Sequence, residues 1–459
     1  MFLASVPDLG ADAVRTAVAA AAAAFPGWSA VPGKRRAAAL LKWHDLLLAH
    51  TDDLAKIMTA ENGKPLSESR GEVQYAADYV LWFSQECTRG LDGETLPSVA
   101  LGHRGFTVRQ PVGVCAALTP ANFPTAMLAR KAAAALAAGC TMVAKPSEAT
   151  PFSALAFAEL GLRAGVPPGV LSVITGEAAP ISEAMMASPD VRKVTFTGST
   201  RVGKLLMQAC GATMKRSSME LGGNAPFLVF PDADLDAAVN GVMSAKFRNA
   251  GQTCISANRF YVADSVYDAF AAALAAKMQA SLRMGPGNVA GNTVGPLINR
   301  AAVAKCQRHV DDCVAKGARV VLGRDTFVTA ANEQQLAQGH FFAPTLLVDV
   351  PPNALPCVEE TFGPVVALVR LPGDDEAGFL RHANATDAGL AAYVFTTDAA
   401  RLFRVAERIQ AGMVGLNTGI ASACSTAPFG GVRDSGHGRE GSKHGIHEYT
   451  ELKYLSMAV

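Results

Sequence analysis

From Gly105 onward, short apolar runs alternate with helix-forming ones. GFTVRQPVGVCAALTP is strand-like and MLARKAAAALAAG is helical, while CTMVAK, VLSVI and KVTF are short buried strands with helices between them near 151–164 and 178–187. Runs this brief, bounded by turn residues, suit strands better than helices. Strands alternating with helices need crossover connections, which give a parallel α/β sheet with a nucleotide at its carboxyl edge. A second α/β unit runs from about Glu220 to Val432. Ahead of this alternation, residues 11–89 are helical: AVRTAVAAAAAAF, RRAAALLKWHDLLLAH and GEVQYAADYVLWFSQEC carry apolar positions at helical spacing, punctuated by Pro26, Pro32-Gly33 and Gly63. The final EYTELKYLSMAV alternates like a strand.

A length of 459 residues accommodates two or three such units. Half of the residues are hydrophobic and 18% are charged, as in a large, well-buried enzyme. A net charge near +1 gives no reason to expect nucleic acid or an acidic membrane as partner. The nine cysteines lack C-x-x-C spacing, so neither a disulfide framework nor a zinc ribbon is expected. Asp8, Asp12 and Arg15 interrupt any apolar signal core, and the bland stretch from Lys131 to Lys145 is too short to span a bilayer. A cytoplasmic location is the expectation.

The chemistry concentrates in Ser217–Ser256, SSMELGGNAPFLVFPDADLDAAVNGVMSAKFRNAGQTCIS. Glu220 lies among Met219, Leu221, Gly222 and Gly223, a setting that desolvates a carboxylate and raises its pKa toward the range of a base. Cys254 follows it by 34 positions, enough to leave a strand, cross a helix and return to the same cavity. A lone cysteine is ordinarily a small core residue. Here Gly251-Gln252-Thr253 set the thiol in a small, polar turn, whereas the other eight cysteines sit in apolar strands, helices or ordinary loops.

ELGGNAP and FRNAGQTC resemble the aldehyde dehydrogenase superfamily, and more closely its succinate-semialdehyde branch. The likeness runs nearly end to end, although relatives carry a further segment ahead of the point where this chain begins. It implies a Rossmann-like cofactor domain (1–95 and 111–219), a catalytic domain (220–432), an oligomerisation sheet (96–110 and 447–459) and a return segment (433–446). A homodimer or homotetramer is implied with it. Cys254 would add to an aldehyde and the adduct would expel hydride. Asn122, in TPANFP, and the Cys254 backbone amide would hold the oxyanion. Glu220 would activate the water that hydrolyses the thioester. Two departures from the family stand out: Ala121 replaces the usual tryptophan of the cofactor wall, and Ser256 replaces a second cysteine, which removes a regulatory disulfide.

For the cofactor, the resemblance assigns Lys145, Ser147 and Glu148 to the adenosine ribose, Thr197, Gly198 and Ser199 to the pyrophosphate turn, and Glu360 and Phe362 to the nicotinamide end. A carboxylate at Glu148 repels a 2′-phosphate, which favours NAD, with NADP as the alternative. For the substrate it assigns Arg130 and Arg248 as a clamp on a distal carboxylate, with Ser422 nearby, a task suited to planar guanidinium groups. Gly436–Gly441 is a formal G-x-G-x-x-G, but only 18 residues follow it, too few for a βαβ unit. Gly198–Leu205 misses a P-loop because Leu205 stands where a hydroxyl is needed. His444 and His447, beside Glu448, do not make a metal site, and no metal is expected. The expectation is a semialdehyde dehydrogenase, with glutarate semialdehyde or a neutral aldehyde as alternative substrates and a non-enzymatic protein as the rival class.

Overall fold

The computed structural model describes residues 3–459 except 98, 99, 331, 374 and 423, the first two of which fall within 96–110. Four helices open the chain: α1 (Ala11–Ser29), α2 (Gly33–Ala49), α3 (Thr51–Asn62) and α4 (Leu66–Arg89). Pro26 does not break α1, which continues to Ser29. The ring sits in the last turn, where little helix remains to be disrupted, and Pro26 O still accepts from Ala30 N. Pro32 is the N-cap of α2, and the left-handed Gly63 caps the end of α3.

Strands β1 (Thr95–Leu96) and β2 (His103–Pro111) begin a small antiparallel sheet. Then follow β3 (Val114–Leu118), α5 (Pro124–Ala138), β4 (Thr141–Lys145), α6 (Pro151–Ala164), β5 (Leu171–Val173), α7 (Ala178–Ala187), β6 (Val191–Thr197), α8 (Thr200–Ala212) and β7 (Arg216–Glu220). Strands β3 to β7 pair in parallel in the order β7-β6-β3-β4-β5. Every residue of β3 and β4 is buried, which explains their unbroken apolar reading. The chain runs outward from β3 in one direction and, after β5, returns to β6 on the other side of β3. The switch point therefore lies between β3 and β6, and the loops at their carboxyl ends flank a crevice.

A seven-stranded sheet contains β8 (Ala225–Val229), β9 (Ala257–Ala263), β10 (Arg319–Leu322), β11 (Thr345–Val348), β12 (Val365–Leu371), β14 (Ala391–Phe395) and β15 (Met413–Leu416), ordered β10-β11-β12-β9-β8-β14-β15. All its neighbours are parallel except β10 with β11. Phe227 centres its core, stacked on Phe395 with ring centroids 4.7 Å apart. The short β13 (Ala388–Gly389) and β16 (Val432–Arg433) pair with each other. The glycine-rich segment Gly436–Gly441 forms no nucleotide loop: its β17 (Gly436–His437) pairs antiparallel with β7. Finally β18 (Thr450–Ala458) runs antiparallel to β2 along its whole length and completes the small sheet. Among the described residues, no helix is long and apolar enough to cross a membrane.

Candidate active site

Glu220 closes β7 at the carboxyl edge of the first sheet, whereas Cys254 and Glu360 precede β9 and β12 at the amino edge of the second. The two edges meet, and two cavities open where they do. One, of about 370 Å³, is lined by Ala121, Asn122, Thr197, Gly198, Ser199, Glu220, Cys254, Glu360 and Phe362. The other, of about 290 Å³, is lined by Arg130, Arg248, Ser422, Phe429, Asn122 and Cys254. Asn122 and Cys254 thus border both. Ser147 and Glu148 lie apart, in a cavity of about 240 Å³ with Asp8 and Thr175, and Lys145 makes an ion pair with Glu148.

Asn122 sits on the loop between β3 and α5. Its Oδ1 accepts from Phe123 N at 3.0 Å, which turns its Nδ2 toward Gln252 O at 3.2 Å, two residues before the thiol. An amide nitrogen carries two hydrogens, so one remains to donate. The segment leading to Cys254 is a 3-10 turn, Arg248–Gly251, in which Asn249, Ala250 and Gly251 have φ of 49°, 53° and 78°. Left-handed backbone is natural for glycine, tolerated by Asn249 and costly for Ala250. At Gly251 a Cβ would also stand 2.3 Å from Gly363 O.

Burial pushes the Cys254 thiol up to about 12; nearby Arg130 and Arg248 pull it down, and Glu220 and Glu360 raise it further. Burial, reinforced by Glu440, holds the Glu220 carboxyl well above its ordinary value, against the pull of Arg130, Lys131 and Arg439. Neither Glu220 oxygen has a hydrogen-bond partner among the described residues. Glu360 accepts from Gly223 N at 3.1 Å, and burial pushes its carboxyl up to about 7. Phe362, beside it, is left-handed at φ 56°, an unusual conformation for an aromatic residue.

The larger cavity suits a dinucleotide. It lies at the switch point, Thr197 Oγ1 is buried without a partner, and Ser199 caps α8, whose N-terminal amides favour an anion. The second cavity suits a carboxylate. Arg248 makes no ion pair among the described residues and packs over Phe123 at 5.4 Å. Arg248 Nε, Arg130 Nη2 and Ser422 Oγ are all buried without a hydrogen-bond partner. The two arginines differ, however. Arg130 is 1% exposed, ion-paired to buried Glu440 and stacked over Phe429 at 4.2 Å.

Glu440 was invisible as a site residue because it lies inside the glycine pattern that cannot bind a nucleotide. Lys64, Glu68 and Glu72 were also missed, although their spacing of four is legible. Lys64 is buried, donates to Asn122 O at 2.6 Å and pairs with Glu72, which accepts from Thr125 N and Ala126 N at the start of α5. Glu68 lines the carboxylate-type cavity and accepts from Asn249 N at 2.7 Å.

A doubly wound sheet facing a second α/β sheet, with Asn122 and Cys254 between two cavities, is the architecture of a nicotinamide-dependent oxidoreductase. The chain belongs to the aldehyde dehydrogenase family, whose model matches residues 2–455. It is 52% identical over 457 residues to the succinate-semialdehyde dehydrogenase [NADP(+)] GabD of Escherichia coli, covering 100% of this chain and 92% of that one. It is 52% identical over 453 residues to a glutarate-semialdehyde dehydrogenase of Pseudomonas aeruginosa, covering 99% and 91%. The fold superposes on the crystal structure of succinate-semialdehyde dehydrogenase from Burkholderia pseudomallei with a TM-score of 0.95 at 51% identity, covering 100% and 92%.

Proposed function

We propose that this enzyme oxidises an ω-carboxylated semialdehyde, succinate semialdehyde foremost, to the dicarboxylate, with NAD as hydride acceptor and NADP as the alternative. The observation that carries the reading is the trio of unpartnered donors, on Arg130, Arg248 and Ser422, in a cavity that Cys254 also lines. Buried donors without partners are costly unless a ligand satisfies them. A distal carboxylate held there leaves the aldehyde end free to reach the thiol. Glutarate semialdehyde, one methylene longer, is the second reading, favoured by the named activity of the Pseudomonas relative.

In this reading the Cys254 thiol gives its proton to solvent and the thiolate Sγ bonds to the aldehyde carbon while Asn122 Nδ2 and the Cys254 backbone N–H hold the oxyanion, each donor lowering the barrier by ~3–4 kcal/mol. The C–H bond of the adduct then breaks, its hydride leaves, and the C=O re-forms as the thioester. A bound nicotinamide supplies the hydride acceptor, and Thr197, Gly198, Ser199, Glu360 and Phe362 hold the cofactor's inner half. Lys145, Ser147 and Glu148 hold its adenosine end. Glu220, desolvated and free of other hydrogen bonds, takes the proton of the water that attacks the thioester; the C–S bond breaks and the carboxylate leaves. The cofactor domain is then 1–95 with 111–219 and the catalytic domain 220–432. Assembly into a homodimer or homotetramer uses the small sheet, where β18 is an edge strand with exposed Leu452, Tyr454 and Met457. Formation of reduced nicotinamide on mixing enzyme, succinate semialdehyde and NAD tests the reading, and its absence with every aldehyde tried would reject it.

A further inference from the structure

The turn that presents Cys254 is strained, and its own hydrogen bonds leave Asn249 N–H unpaired within it. Asn249 and Ala250 are consecutive non-glycine residues in the left-handed region, a conformation that asparagine tolerates but that costs alanine on the order of 1–3 kcal/mol and persists only when the surroundings impose it. Contacts from outside the turn hold it: the Asn122 Nδ2 bond to Gln252 O already described, and three more. Gln252 Oε1 accepts from Ile298 N at 2.9 Å, and Asn249 Nδ2 donates to Asn122 O at 2.8 Å. The third is Glu68, on α4, whose Oε2 accepts from Asn249 N at 2.7 Å. An amide in this conformation has no partner within its own turn, so the carboxylate supplies what the local backbone cannot.

Glu68 is set up for this contact. It stands four residues after Lys64 and four before Glu72, and those two fix the Asn122 loop from behind. One short stretch of chain, 64–72, thereby holds both donors of the oxyanion site: Lys64 through Asn122 O, and Glu68 through the turn that carries the Cys254 amide. Burial pushes the Glu68 carboxyl up to about 7, opposed by Asn249 N–H, Lys64 and Arg248. A carboxyl so desolvated at a cavity wall is expensive for a merely structural contact.

We propose that Glu68 is a positioning residue for the nucleophile, its acceptance of the Asn249 N–H holding the left-handed turn that aims Cys254 at the Asn122 amide. The proposal rests on Cys254 being the nucleophile. Glu68 need not touch substrate, and what matters is the acceptor oxygen, not the charge. Gln at 68 keeps an acceptor oxygen of the same reach, and Ala removes it.

The test compares wild type, E68Q, E68A and C254A by the rate of the first-turnover burst of reduced nicotinamide, with succinate semialdehyde and with a neutral aldehyde of similar length. A burst in wild type that is absent from C254A establishes the nucleophile separately, so that the Glu68 variants judge this proposal alone. E68A should lose about tenfold of the burst rate on both aldehydes, with KM for NAD unchanged, and E68Q should recover to within about threefold of wild type. Two results would overturn the proposal. In one, E68A keeps the wild-type burst and loses only thermal stability. In the other, E68Q falls as far as E68A on the carboxylated aldehyde alone, which would make Glu68 a charge partner of Arg248 instead.

Discussion

Gly223 stands against the backbone of Cys254: a Cβ at 223 would lie 2.4 Å from Cys254 O. The strand exit that carries Glu220 and the turn that carries Cys254 are therefore in direct backbone contact. No side-chain rotation can relieve that clash. Gly223→Ala should destabilise the protein by about 1–3 kcal/mol, the usual penalty of overpacking. It should also lower kcat at least about tenfold, since one of the two segments must shift. Thermal melting with steady-state kinetics checks both, and an active, fully stable variant would contradict the contact.

Glu220→Gln keeps the shape of the side chain and removes the base. It should leave a burst of about one reduced nicotinamide per site followed by slow turnover, because acylation proceeds and the thioester persists. Rapid-quench or stopped-flow traces read this directly. A steady state equal to wild type would mean that another group deprotonates the water.

The first sheet was legible because buried parallel strands are continuous apolar runs, as β3 and β4 show. Cys254 and Glu220, which line one cavity, stand out for a different reason: each breaks the rule of its neighbourhood, a thiol in a polar turn and an acid in an apolar one. Pro26 misled because position within a helix decides what proline costs, and a run of alanines does not reveal the last turn. The inequality of Arg130 and Arg248 was not legible either. It depends on Glu440, more than 300 positions away from Arg130 in sequence, folding back beneath the site.

That inequality gives the third prediction. Arg130→Ala strands Glu440 in the interior and should cost about 3–5 kcal/mol of stability, as breaking a buried pair does. Lys131 shares Glu440, which tempers the loss. Arg248→Ala strands no carboxylate partner and should leave the melting temperature within a few degrees of wild type. Equal melting losses for the two would show that Arg130 is no more a part of the core than Arg248.

Desolvation raises the Cys254 thiol pKa to about 12, against the pull of Arg130 and Arg248. A raised thiol pKa means that the reactive thiolate is scarce below it and grows about tenfold per pH unit. Alkylation of Cys254 by iodoacetamide, followed by peptide mass so that exposed Cys424 is counted separately, should accelerate steadily from pH 7 to about pH 10. A plateau below pH 8 would mean a thiolate already stabilised in the resting enzyme.

The most direct measurement of the central claim is the ratio of kcat/KM for succinate semialdehyde to that for a neutral aldehyde of similar length, in wild type and in Arg248→Ala. Truncating one partner of a desolvated charge pair costs about 2–4 kcal/mol, or roughly 30- to 1000-fold. The wild type should therefore prefer the carboxylated aldehyde by about a hundredfold or more, and the variant should lose most of that preference through the carboxylated substrate alone. A wild-type ratio near one, or equal losses on both aldehydes, would contradict the assignment of this cavity to a substrate carboxylate.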